Sequence, residues 1–145
     1  MKAKAYLQQV SKIESLIKNK MLEAQKWKDC AVATTAPIGE IHVQTSGNKQ
    51  RVSDAVANYI DIEADIKADI RRLINKRQEI IHVLEQLKTA EYDVLYKLYV
   101  QGMTLQEIAD YADRSYRWAV NIHYKGLISV QNILDNSKLK TERMI

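Results

Sequence analysis

Apolar positions step along the first thirty residues by threes and fours. Leu7, Val10, Ile13, Ile17, Met21, Ala24 and Trp27 fall on one face, and Lys, Gln and Glu fill the others. That period predicts a helix over about Ala3–Ala33 whose stripe must be buried against something. A longer pattern runs from Ser53 to Leu87. Val56, Tyr59, Glu63, Ile66, Ile70, Leu73, Arg77, Ile80, Leu84 and Leu87 make a heptad seam, which predicts a coiled coil with Ser53 as its N-cap and Asp54 in its first turn. Glu63 and Arg77 interrupt the seam, and polar seam residues often fix register and partner choice. Ile60, Ile62, Ile74 and Ile81 widen the stripe towards a bundle, in which the first helix folds back or a second subunit docks.

Between these two patterns, Thr34–Arg51 holds the single Pro, two of the four Gly and several Thr, Ser and Asn. It reads as a loop, with a short hairpin possible through Glu40–Gln44. After Leu87 the pattern shortens. TAEYDVLYKLYVQG brings Tyr92, Leu95, Tyr96, Leu98 and Tyr99 close together and stops at Gly102, the C′ position of a helix. From Asn136 the chain is polar and is expected to fray. The reading is therefore all-α: a helical coiled-coil or bundle region over 1–87 with a loop at 34–51, a helix-turn-helix domain over 88–135, and a flexible tail at 136–145.

Composition narrows the classes. Gly and Pro are scarce, at four and one, which favours long helices. The one cysteine, Cys30, excludes an internal disulfide and fits a reducing cytoplasm. The start, Met1-Lys-Ala-Lys, is followed by no apolar core of a signal peptide, and no apolar run approaches the ~18 residues of a membrane span. His42, His82 and His123 have no partner at ligand spacing, so no metal site is expected. No phosphate loop, nucleophile elbow or paired-carboxylate motif is present, and the acids of the long helix read as a solvated face. The expectation is a protein that is not an enzyme and needs no cofactor.

Charge is uneven. The net value is +4, yet residues 89–113 carry five acids against Lys97 alone, and residues 114–145 carry six Lys or Arg against two acids. A basic end after an acidic helix suits a DNA face.

That basic end contains the most informative motif, Thr104–Leu127. Thr104-Leu-Gln-Glu107 matches a capping box, so a helix starts there. Leu105, Ile108, Ala109 and Ala112 are expected to face inward, with Ala109 small enough for two helices to cross closely. Ala112-Asp113-Arg114 is the turn, and Ser115 caps the next helix. Ala119, Ile122 and Leu127 take its buried side, leaving Tyr116, Arg117, Val120, Asn121 and Tyr124 outside. Two short helices about a tight turn make the unit that places a helix in the major groove. Trp118 reads as a packing residue, and Tyr92, Tyr96 and Tyr99 as core or interface residues.

Residues 88–134 resemble the fourth, DNA-binding region of bacterial sigma factors. The resemblance is carried by the helix Tyr92–Tyr99, Gly102-Met-Thr104, Glu107-Ile-Ala109, Ser115, Ala119, Ile122 and Gly126-Leu127. The layout of a coiled N-terminal part followed by this domain resembles phage late-transcription regulators of the RinA/ArpU type. The first resemblance implies that the exposed start of the second helix, with Ser115 as its cap, reads base edges through Tyr116, Arg117, Val120 and Asn121. Arg suits guanine and Asn suits adenine. It implies that Arg114, Tyr124 and Lys125 lie near phosphates and fix register. Apart from the resemblance, His123 is expected to touch phosphate. Asp113 and Arg114 stand where the family usually has Gly and an aliphatic residue.

The function expected is a sequence-specific transcription regulator that activates phage late genes. Its partners would be double-stranded DNA, host RNA polymerase and a second copy joined through Val56–Leu87. Two other readings stay open: a polymerase- or protein-binding adaptor that does not read DNA, and a small terminase-like packaging protein.

Overall fold

The computed structural model describes the backbone of residues 2–35 and 45–143 and the side chains of residues 2–32 and 49–143. Among them every regular element is helical, as the sequence predicts, and there is no strand. The elements are α1 (Lys2–Leu7), α2 (Gln9–Thr35), α3 (Thr45–Leu84), α4 (Thr89–Leu95) continued by a π-helical turn (Tyr96–Val100), α5 (Leu105–Tyr111) and α6 (Tyr116–Arg143). No described helix is long and apolar enough to cross a membrane.

Several expected boundaries move. The first helix is broken only at Gln8, where the ladder still holds through Gln8 N–H to the Lys4 carbonyl at 2.9 Å. Helix α3 begins at Thr45, so Ser53 and Asp54 lie inside it and cap nothing. Thr34, Thr35 and residues 45–51 are likewise helical rather than loop, and the hairpin read at Glu40–Gln44 lies outside the described residues. The polar end is not a frayed tail over 136–143. Helix α6 carries on to Arg143 with exposed side chains. Its strong helix formers, Lys138, Leu139 and Lys140, outweigh the polarity from which fraying was read.

The chain divides into two compact units. One holds residues 1–12 and 73–145, the other residues 13–72. The sequence reading put its boundary after residue 87 instead. The difference arises because the first dozen residues and the end of α3 supply core to the C-terminal helices. Ala3, Leu7, Val10, Ile80, Leu84, Leu95, Val100, Leu127 and Val130 form one buried cluster. The Ala3 N–H donates to Gln131 Oε1 at 2.9 Å, tying α1 to α6. Helix α6 is the shared wall, packing on α1, α4 and α5.

In the second unit, α2 and α3 bury Ile13, Ile17, Ala24, Ala55 and Ile66. Met21 is exposed, not part of the buried stripe. Asp69 is buried and accepts from Lys20 Nζ at 2.6 Å, with Arg72 at 3.6 Å. The acids of the long helix are thus not all a solvated face. The expected heptad seam also splits. Ile66, Ile80 and Leu84 are buried by the chain's own helices, whereas Val56, Glu63 and Ile70 are exposed. The split follows the two alternating series of the seam: the edge through Tyr59, Ile66, Leu73 and Ile80 is buried or half-buried, and the edge through Val56, Glu63 and Ile70 is exposed.

Candidate nucleic-acid interface

The start of α5 is built as its sequence dictates. Thr104 has an extended backbone, and its Oγ1 accepts the Glu107 N–H at 3.2 Å. The reciprocal half differs from the expected box, since the Thr104 hydroxyl sits 3.0 Å from Glu107 Oε1, side chain to side chain. Before it, Gly102 adopts φ +75 in space open enough for a Cβ. Its glycine is explained by the backbone angle alone. Ahead of Gly102, the π turn widens the helix end, with Gln101 N–H bonding the Tyr96 carbonyl and Met103 N–H the Lys97 carbonyl.

The turn between α5 and α6 is a Schellman arrangement. Arg114 N–H bonds the Ala109 carbonyl at 2.9 Å, and Asp113 N–H bonds that of Asp110 at 3.2 Å. Asp113 takes the left-handed position at φ 55. Asp tolerates it better than most residues, which is why the chain turns here without Gly. Ser115 then caps α6, its Oγ accepting the Trp118 N–H at 3.1 Å.

Burial sorts the side chains of α5 and α6. Ile108, Ala109, Ala119, Gly126 and Leu127 are buried, and Leu105 and Ile122 are half-buried. Ala112 is exposed, against expectation, because the chain leaves the α5 axis there. Gly126 is buried for a packing reason: a Cβ there would lie 2.8 Å from Leu95 Cδ1. The glycine lets α6 approach α4 closely.

Every candidate site residue lies outside. Arg114, Ser115, Tyr116, Arg117, Val120, Asn121, Tyr124 and Lys125 are all exposed. Arg117, Val120, Asn121 and Tyr124 follow steps of three, one and three, which keeps them on one side of α6. Arg114 is not free in solution; its guanidinium lies over the Trp118 ring at 5.8 Å. Trp118 is half-buried and serves as that platform.

His123 does not join this face. It turns inward, with Nε2 2.7 Å from the Tyr99 hydroxyl. Burial, and then repulsion from Lys4, lower its pKa from the ordinary 6.5. Burial raises the Tyr99 hydroxyl to about 12, so it stays protonated. Tyr92 and Tyr96 stack at 5.6 Å, and with Tyr99 they pack against the core cluster. A second polar link was illegible in the sequence. Glu91 is buried and accepts from Ser129 Oγ at 3.0 Å, pinning α4 to α6. Of the other histidines and the cysteine, His82 is exposed on α3 and Cys30 is exposed on α2; His42 lies outside the described residues.

The His123 pocket gives a pH prediction. The unfolded chain takes up a proton near 6.5, and the folded chain only at lower pH. Stability is therefore complete above 6.5 and falls as pH drops below it. Urea unfolding at pH 7.5 and 5.5 should show that loss in the wild type and a smaller loss in His123→Gln. Equal loss in both would assign it to other groups.

Comparison with known proteins adds a direction. Over 86 residues the chain is 30% identical to the RNA polymerase sigma factor SigO of Bacillus subtilis (strain 168). That stretch is 59% of this chain and 46% of that protein, so this chain matches less than half of the relative's length. No family model and no solved structure matches the chain.

Proposed function

We propose that this chain is a DNA-binding transcription regulator that reads base edges with the N-terminal part of α6. One observation carries the reading: α6 buries Ala119, Gly126 and Leu127 and leaves Arg117 and Asn121 exposed on its other side. Their planar polar groups suit guanine and adenine edges in a major groove. In this reading Arg114, at the mouth of the same helix, and Lys125, further along it, contact phosphates. The likeness to a sigma factor supports the assignment, and it makes RNA polymerase a second partner in this reading. The finer version is a phage-encoded late-gene activator of the RinA/ArpU type, supported by the order of a long-helix region followed by this domain. In this reading the protein is not an enzyme, uses no cofactor and acts in the cytoplasm.

A second reading has its own observation. Tyr111, Tyr116 and Tyr124 are each more than half exposed, and exposed aromatic residues favour protein contacts. A polymerase-binding adaptor would use them without touching bases.

Selection from random duplexes with the purified chain separates the two. The regulator should enrich one motif, with affinity falling steeply as salt rises. An unenriched pool together with capture of RNA polymerase would establish the adaptor instead.

A further inference from the structure

Among the described residues, the face of α3 beside its buried stripe is open to solvent over most of its length; Val56, at its start, borders Lys28, Ala31 and Val32 of α2. Ala55 and Ile66 are buried and Tyr59 and Ile62 half-buried. One residue further round, Val56, Ile60, Glu63, Lys67, Ile70 and Ile74 are all exposed. They belong to one continuous helix, Thr45–Leu84, and follow one another by alternating steps of four and three. Such spacing keeps a stripe facing a second helix. Val56, Ile60, Ile70 and Ile74 are 41%, 56%, 39% and 50% exposed, and apolar residues exposed together along one face mark an interaction surface.

We infer that this face is a homodimer interface in which two copies of α3 pack antiparallel about a two-fold axis beside residue 65. The stripe is symmetrical about that position. Val56 would meet the partner's Ile74, Ile60 the partner's Ile70, and Glu63 the partner's Lys67. In a two-fold contact each pairing occurs twice, so the centre holds two opposite-charge pairs flanked by apolar layers. Each layer joins one member of the series 56, 63, 70 to one of the series 60, 67, 74. Running one helix backwards interchanges those two series, as an antiparallel pair requires.

A parallel, in-register pair would set Glu63 against the partner's Glu63 and Lys67 against the partner's Lys67. Like charges at the seam disfavour that arrangement. Ala57 and Ala64 border the stripe, are exposed, and offer only methyl groups to a close approach. The occupant is thus a second copy of this chain: the charge order of the stripe is complementary to itself read backwards. This surface shares Val56, Glu63 and Ile70 with the seam expected from the sequence, whose Ile66, Ile80 and Leu84 are already buried, and adds Ile60, Lys67 and Ile74 on the other edge. The inference does not depend on DNA reading.

Its test uses the full chain without DNA. Sedimentation equilibrium should give the mass of two chains. Glu63→Lys and Lys67→Glu should each weaken the dimer more than about tenfold by setting like charges together. The double exchange, E63K with K67E, should restore it, with unchanged circular dichroism throughout. A spin label at Ile74→Cys, with Cys30→Ser, fixes direction. Antiparallel packing puts the two labelled positions about 27 Å apart along the axis, at roughly 1.5 Å per residue. A monomer mass, single reversals without effect, a double exchange that fails to recover, or two Ile74 labels side by side would each overturn the proposal.

Discussion

Replacing Arg117 or Asn121 with alanine should cost about 1–3 kcal/mol of discrimination each, roughly 5–150-fold, against the best duplex from the selection. The loss should fall on specificity. Both side chains are exposed on α6, and alanine is a better helix former than either residue, so helicity should be unchanged. Lys125→Ala should behave differently. A lost phosphate contact weakens binding to all sequences and flattens the salt dependence by about one unit of slope. Competition mobility shifts with matched and mismatched duplexes measure both quantities. If Arg117→Ala and Asn121→Ala retain full discrimination, α6 does not read bases and the adaptor reading takes over.

The second large effect lies in the support of that helix. Leu95 is fully buried in the cluster that joins α1, α3, α4 and α6. Leu95→Ala should cost about 2–5 kcal/mol, the range for emptying a core leucine. Gly126→Ala should also destabilise. Its new Cβ would come within 2.8 Å of Leu95 Cδ1 and 3.1 Å of Cγ, and overpacking of that kind costs about 1–3 kcal/mol. A gain of about 1 kcal/mol in helix propensity offsets part of it. In the Leu95→Ala background the clash is gone and only the gain remains. Gly126→Ala should then stabilise, and a thermal-unfolding double-mutant cycle would show the reversal. The same sign in both backgrounds would mean that α6 and α4 are not held as closely as described.

The C-terminal helices were legible because their signals are local. Thr104, Gly102, Asp113 and Ser115 each mark a cap or turn within four residues, and the structure uses each of them. The outward face of α6 followed from the inward one, since Ala119 and Leu127 fix its rotation. What failed to show was long-range. That Ala3, Leu7 and Val10 complete the core of the C-terminal helices depends on a fold-back across more than a hundred residues. No local period encodes it. His123, expected near phosphates, turns inward instead, because its partner Tyr99 lies 24 positions away in the sequence. Asp69 belongs to the long-helix acids read as a solvated face, and nothing in the sequence marks Glu91 as buried; their partners Lys20 and Ser129, on other helices, reveal both. Along α3, period alone could not tell which of two adjacent stripes the chain keeps for itself.

Isotope-labelled protein titrated with the selected duplex would probe the central claim most directly, by following backbone amide shifts. The account predicts the largest changes at Arg114–Lys125, with residues 13–72 nearly unmoved. Changes centred elsewhere, with 114–125 silent at saturation, would contradict it.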